Sequence, residues 1–309
     1  MRTADGAGAA RRRHRAASGA RRAAAPACAT ARAARALRDG AADLPWAGAP
    51  GARGSAPPPR ADLSPWFPEV ADQAERPLCT AAVVAGFAGY DERRRGRERT
   101  PSLLFNYRTS RRYSGSPDRW GSTTLHALRA WSEYGLVEEG LWPFDPDRLD
   151  TDPPDGCFER ARAWRQPHYG RLDRCPGPCP AYLDAIRTAL ALGLPVSLEI
   201  PLHPSILLSF GTGDVVPPGP GEPLVARHAV LLSGYDDALR PAGAAAEGAL
   251  RFQNSWGAGW GDRGYGRIPY SLVREGLVKD SWIVPGVPGA LPEEPEKASA
   301  HAASGGERE

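Results

Sequence analysis

Two apolar segments near the C-terminus, each joined to one polar residue, constrain the fold of this chain most strongly. The first opens with a histidine and reads Arg227-His228-Ala229-Val230-Leu231-Leu232-Ser233-Gly234-Tyr235. The second ends on Asn254-Ser255-Trp256-Gly257. If the two segments form adjacent strands, the imidazole of His228 lies beside the amide of Asn254. A histidine oriented by an asparagine usually serves a nucleophile, so we expect one elsewhere in the chain.

The candidate nucleophile is Cys79, near the start of residues 77–90. This run is apolar nearly all round, as a buried helix is, and it opens with a proline, which suits a helix start. At a helix N-terminus the dipole and the free N–H groups favour a thiolate. Taken alone, a cysteine like this is usually a small buried hydrophobe. Its position, Gln73 six residues upstream and the His–Asn pair downstream favour catalysis.

Together these motifs resemble the papain-like cysteine peptidases, and the lead-in resembles their prokaryotic branch. The family has a glutamine six residues before the cysteine, a histidine strand ending in Gly-Tyr, and Asn-Ser-Trp-Gly followed by Trp-Gly and Gly-Tyr-Gly. The matching residues are Gln73, Cys79, His228, Gly234-Tyr235, Asn254-Ser255-Trp256-Gly257, Trp260-Gly261 and Gly264-Tyr265-Gly266. The histidine follows the cysteine by 149 positions, which fits the family's spacing. The resemblance covers about residues 61–285.

The resemblance implies an α+β fold of two lobes with the active-site cleft between them. One lobe is mainly helical, with a central helix that bears Cys79, and the other is β-barrel-like and carries His228 and Asn254. The implied activity is peptide-bond hydrolysis on peptide or protein substrates, with no cofactor and no metal.

The resemblance also assigns roles to single residues. Cys79 is the nucleophile and His228 takes its proton. The oxyanion is held by the Cys79 N–H and the Gln73 side chain. Asn254 orients the imidazole and Trp256 shields their hydrogen bond from water. Gly121, just before a helix, stands where the family pairs with the substrate backbone, although an ordinary turn glycine also fits this position.

The chain departs from the family pattern at three places. Pro77-Leu78 stand where Gly-Ser usually precedes the cysteine, Ala74 follows Gln73 where glycine is usual, and Arg227 precedes the histidine. These departures keep two alternatives open. One is an inactive papain-like protein that binds peptides or proteins, and the other is a transpeptidase that uses the same site.

Composition divides the chain into three parts. Residues 1–60 are almost all Ala, Arg, Gly and Pro, and residues 289–309 are rich in Pro, Glu, Ala and Gly. Neither part can bury enough apolar surface to offset its ordering entropy, so we expect disordered tails around a peptidase domain at 61–288.

The charge is uneven along the chain. Residues 1–60 hold 12 Arg and three Asp, a net charge of +9, which leaves −6 for the rest of a chain whose total is +3. The domain therefore gives no support to nucleic-acid binding, although Arg11-Arg12-Arg13-His14-Arg15 could be a basic tail for nucleic acid or membrane. Arginines interrupt each candidate signal segment, and no apolar run of membrane-spanning length occurs. We expect no membrane association and favour the cytoplasm.

The remaining cysteines do not form a recognisable metal site. Cys157, His168, Cys175 and Cys179 lack the spacing of a zinc finger, so a plain loop is expected, with an incidental disulfide open. Elsewhere, apolar spacing predicts helices near 101–107, 125–136 and 182–192 and a strand at 196–200.

Overall fold

The computed structural model describes residues 44–45, 56–115, 120–166, 168–173 and 180–285. Its helices are α1 Cys79–Arg94, α2 Leu103–Arg111, α3 Thr124–Glu133, α4 Asp155–Ala161, α5 Pro180–Ala191 and α6 Tyr270–Arg274. Its strands are β1 Leu44–Pro45, β2 Arg60–Asp62, β3 Gly170–Arg171, β4 Val196–Leu202, β5 Ala226–Asp236, β6 Ala249–Gln253, β7 Tyr265–Pro269 and β8 Lys279–Ile283. Short 3₁₀ turns occupy Ser64–Trp66, Arg162–Trp164 and Pro204–Ser209.

Helices α1, α2 and α3 pack together as the helical lobe. The Ser102 side chain caps α2 and the Thr123 side chain caps α3, each by accepting a backbone N–H of the first turn. The predicted helix at 101–107 therefore starts two residues later than expected, since its serine is the cap, and it continues to Arg111. Helix α3 ends before Gly135, whose φ of +91° needs glycine.

The second lobe is a sheet in the order β1-β3-β8-β4-β5-β6-β7, with β2 added to β5. All pairings are antiparallel except β1 with β3. Strand β4 is buried along its whole length, which explains why it extends beyond the predicted 196–200. The α+β class with a helical lobe and a mainly antiparallel lobe is confirmed.

Helix α1 lies directly against β5. Gly86 lets the two approach, because a Cβ there would stand 2.6 Å from Leu231 Cδ2. Gly86 follows Cys79 by two helical turns, and Leu231 follows His228 by three strand residues. Leu231 is therefore a contact between the helix that bears Cys79 and the strand that bears His228.

Contacts with the sheet begin before residue 61. The Tyr235 hydroxyl donates to the Pro58 carbonyl at 2.6 Å, and the Asp237 N–H donates to the Pro59 carbonyl at 2.9 Å. Arg60 pairs with Asp236. The expected tails lie largely outside the described residues, as do Cys175 and Cys179.

The described residues also bear on the metal and membrane expectations. Cys157 is buried and is in no disulfide, and His168 is exposed. Within the described ranges, no group of three or more His, Cys, Asp or Glu side chains is placed to hold a metal ion. Over the same ranges, none of the helices combines the length and the apolarity needed to cross a bilayer.

Candidate active site

The structure brings His228 and Asn254 together as the sequence predicts. Strands β5 and β6 pair Leu231 with Gln253, which sets the ends of the two strands side by side. His228 Nε2 lies 2.7 Å from Asn254 Oδ1. The Ser255 N–H donates to the same Oδ1 at 2.8 Å, which identifies that atom as the oxygen.

This hydrogen bond fixes the tautomer of the imidazole. Because Asn254 Oδ1 only accepts, the Nε2 of His228 carries the proton and Nδ1 presents its lone pair. Nδ1 is buried and has no hydrogen-bond partner among the described residues. The ring is thus held with its basic nitrogen ready to receive a proton.

Cys79 is the first residue of α1, and Leu78 is the residue that caps this helix. It is fully buried. The backbone N–H groups of a first helical turn have no intrahelical acceptor, so they are available to an oxyanion or thiolate beside them. The segment just before Cys79 is tied to the residues that hold His228, because Gln73 bonds to Ser255, which follows Asn254.

Gln73 is tied to the segment that carries Asn254. Its backbone N–H donates to the Ser255 carbonyl at 2.9 Å. The Ser255 hydroxyl donates to Gln73 Oε1, and Gln73 Nε2 donates to the Arg76 carbonyl. Gln73 is completely buried. Sequence reasoning did not single out Ser255, which becomes notable only once these two segments are seen to touch.

The chain is similar to known proteins in sequence and in structure. Residues 119–282, about half of the chain, match the sequence profile of the papain family cysteine proteases. The chain belongs to the papain family. It is therefore a cysteine-type peptidase by family, and papain-like proteases act on peptide or protein substrates.

Similar proteins extend this family assignment beyond the matched residues. An uncharacterized peptidase C1-like protein of Acanthamoeba polyphaga mimivirus is 28% identical over 220 residues, which span 69% of this chain and 68% of that protein. The structure of xylellain, a cysteine protease from Xylella fastidiosa, is similar with a TM-score of 0.65 and 26% identity, over 75% of this chain and 88% of xylellain. Digestive procathepsin L 3 of Tenebrio molitor shares the fold, with a TM-score of 0.59 and 20% identity, over 84% and 77% of the two chains.

Two of the side chains that depart from the papain-family pattern, Leu78 and Arg227, have defined contacts in the structure. Leu78 is fully buried and belongs to the apolar cluster of the helical lobe, with Leu104 and Val137. The Arg227 guanidinium donates to the Leu277 carbonyl at 3.1 Å. Each side chain is therefore committed to packing or hydrogen bonding elsewhere in this papain-family chain.

The third departure is a backbone feature. Ala74 has a φ of +51°, a left-handed conformation that glycine adopts more easily. Its N–H donates to Asp72 Oδ1 at 2.8 Å, so the turn after Gln73 keeps its shape without glycine.

Aromatic rings cover the imidazole in the papain-family site. The Trp256 ring centroid lies 4.7 Å from that of His228. The Phe210 ring stacks on the Trp256 ring with a centroid distance of 5.5 Å. The Trp260 ring contacts the Trp256 ring edge-on, also with a centroid distance of 5.5 Å. Phe210 comes from a loop remote in sequence, so no pattern in the chain indicated it.

Gly121 lies in the segment before α3 and contacts α2. Its φ of +90° requires glycine. Its carbonyl accepts from Arg111 Nη1 at 2.7 Å, and its N–H lies 3.5 Å from the Tyr107 hydroxyl. Pairing of Gly121 with a substrate backbone stays a prediction.

Proposed function

We propose that this papain-family protein hydrolyses peptide bonds through a covalent acyl-enzyme on Cys79. The observation that carries the proposal is the buried hydrogen bond from His228 Nε2 to Asn254 Oδ1, which leaves Nδ1 without a partner. A ring held in this tautomer is suited to act as a base for a cysteine at a helix start.

In the first step, His228 Nδ1 takes the proton of the Cys79 thiol. The resulting thiolate lies at the N-terminus of α1, where the helix dipole favours negative charge. The imidazolium keeps its hydrogen bond to Asn254. Trp256 and Phe210 cover that bond, and exclusion of water strengthens it.

In the second step, the thiolate attacks the carbonyl carbon of the substrate. The carbonyl oxygen becomes an oxyanion, which the Cys79 N–H and the Gln73 side-chain amide stabilise. The Gln73 amide has a second N–H besides the one bound to the Arg76 carbonyl. The imidazolium then protonates the leaving amine, and a thioester to Cys79 remains.

In the third step, His228 takes a proton from water, and the hydroxide attacks the thioester. The acid product leaves as the proton returns to the Cys79 sulfur through the imidazole. The burial of Leu78 in the helical lobe and the hydrogen bond of Arg227 to the Leu277 carbonyl support an active enzyme over an inactive binding protein.

Parallel assays of the wild type and Cys79→Ala against a fluorogenic peptide library test this proposal. We expect cleavage of at least some peptides and a loss of about 10⁴-fold or more in the variant. Cys157→Ala is the matched control, because Cys157 is buried but lies in α4, and it should retain activity. Cleavage that does not depend on Cys79, or none at all, would overturn the proposal in favour of binding.

A further inference from the structure

A basic cavity lies at the opposite end of α1 from Cys79. Its volume is about 450 Å³, and its walls include the end of α1, the loop after it and the 3₁₀ turn Arg162–Trp164. Its charged residues are four arginines and two carboxylates: Arg95, Arg97, Arg99, Arg165, Asp91 and Glu92. With His168 neutral, these side chains give the lining a net charge of +2. The proposed peptidase mechanism uses none of them.

Buried groups hold two of these arginines in place. Glu92 is 2% exposed, and it accepts from Arg97 Nε and Nη2, each at 2.8 Å. The Arg99 guanidinium carbon lies 3.9 Å from the centroid of the Trp164 ring, which is itself buried. Arg99 Nε also donates to Glu138 Oε1 at 3.0 Å, a carboxylate outside the cavity lining. A guanidinium has five N–H donors, so both arginines keep N–H groups for a further acceptor.

Arg165 is the least constrained cation of the cavity. It is exposed, and among the described residues no hydrogen bond or ion pair holds its side chain. The wall that carries it is fixed, because the Trp131 indole N–H donates to the Trp164 carbonyl at 2.9 Å. An excess of positive charge on fixed walls predicts an anionic ligand with more than one charged group.

The chain itself has acidic residues shortly after it leaves this cavity. Pro285, the last described residue, lines the cavity, and its carbonyl oxygen lies 3.5 Å from Gln166 Nε2. Residues 286–296 contain no Lys or Arg and three glutamates: Glu293, Glu294 and Glu296. Glu293 follows Pro285 by eight positions. A chain of that length can span up to about 26 Å, so it is long enough to return to the cavity that Pro285 borders.

We propose that the acidic segment 286–296 of this chain docks into the cavity, where Arg97, Arg99 and Arg165 bind its glutamates. Attachment at Pro285 keeps the segment at a high local concentration, so weak ion pairs suffice to hold it. The entropy cost of closing the loop is small, because it grows only with the logarithm of the loop length. The first sixty residues, with a net charge of +9, are repelled by the same arginines.

A protease that cleaves after glutamate tests this docking in the full-length chain. The chain carries Cys79→Ala, which removes any cleavage by its own active site. Mass spectrometry follows cleavage after Glu293 and Glu296, and a free peptide of residues 286–309 gives the intrinsic rate at each bond. At low ionic strength we expect both bonds to be cut about 10-fold more slowly in the protein than in the peptide. The bond after Glu307, beyond the acidic segment, should be cut equally fast in both.

Arginine variants locate the docking surface. Arg165→Gln removes a cation that has no bond within the described part of the fold, and it should lower the protection by about 3-fold. Arg97→Gln combined with Arg165→Gln should abolish the protection, as should high salt, which screens ion pairs. Arg263→Gln is the matched control, because this side chain is 92% exposed and does not line the cavity.

Thermal unfolding of each variant shows whether its fold is intact, and Arg165→Gln alone decides where the double variant is not folded. Equal cleavage rates in the protein and the peptide overturn the proposal, and so does protection that survives these substitutions in a folded chain. Protection that increases with protein concentration also overturns it, because the segment then occupies the cavity of a second copy. None of these outcomes bears on the peptidase proposal, which rests on Cys79 and His228.

Discussion

Ser255 bonds to Gln73 through both its backbone and its side chain. The Ser255 carbonyl accepts the Gln73 N–H at 2.9 Å, and the Ser255 hydroxyl donates to Gln73 Oε1. Ser255 also donates its own N–H to Asn254 Oδ1. One serine therefore connects the residue proposed to hold the oxyanion with the residue that orients His228.

Replacing Ser255 by alanine should loosen the side chain of Gln73 and lower kcat. Loss of a whole oxyanion donor costs about 10²–10³-fold, and misplacement of one should cost less, about 10-fold. Steady-state kinetics on the best library peptide measure the effect. Ser132→Ala, a similar change at a half-buried position of α3, should leave kcat unchanged. A Ser255→Ala enzyme with the wild-type kcat would show that this hydroxyl does not position Gln73.

Ala74→Gly should stabilise the protein, because alanine is strained at a φ of +51°. A gain of up to about 1 kcal/mol corresponds to a rise in Tm of about 2–4 °C for a domain of this size. Differential scanning calorimetry measures it. Ala185→Gly, inside α5, should instead lower Tm, since glycine is unfavourable within a helix. A lower Tm for Ala74→Gly would contradict the conclusion that alanine is strained at this position.

His126 should make the protein sensitive to acid. Burial first, and then the charges of Arg129 and Arg111, lower its pKa to about 4 from the ordinary 6.5. The unfolded chain thus binds a proton near pH 6.5 that the folded protein accepts only near pH 4. The free energy of unfolding therefore falls as the pH drops from 6.5 towards 4.

Urea unfolding at pH 7 and pH 5 measures this contribution. Between pH 7 and pH 5, we expect the free energy of unfolding of the wild type to fall by about 1 kcal/mol more than that of His126→Gln, after allowance for solvent screening. His168→Gln is the matched control, because His168 is exposed and has no such burial. Equal losses in the wild type and His126→Gln would contradict the burial of a neutral imidazole.

The sequence predicted the parts of the site that short segments encode. A histidine opening one apolar strand and an asparagine closing another could be paired because neighbouring strands bring their ends together. Cys79 was placed at a helix start because the apolar run and its proline are local signals. The predicted start of α2 was two residues too early, because a sequence pattern does not distinguish the cap, Ser102, from the first helical residue.

The rest depends on contacts between distant segments. Glu199 fits an alternating strand, and only the burial of both faces of β4 makes it unusual. Asp280 has a φ of +53° where the register of β8 against β4 shifts, and that shift follows from strand pairing rather than from a local pattern. Arg227 is one of the departures from the family pattern, and its bond to the Leu277 carbonyl joins residues 50 positions apart, which sequence spacing does not reveal.

The rate of alkylation by iodoacetamide, followed at each cysteine by peptide mass spectrometry, tests the account most directly. Cys79 and Cys157 are 0% and 3% exposed, so exposure alone gives Cys79 no advantage. Burial raises the pKa of the Cys157 thiol, which slows its reaction. We predict that at pH 6 Cys79 reacts about 10-fold or more faster than Cys157, and that His228→Ala removes the difference. Equal rates at the two cysteines in the wild type would contradict a Cys79 nucleophile activated by His228.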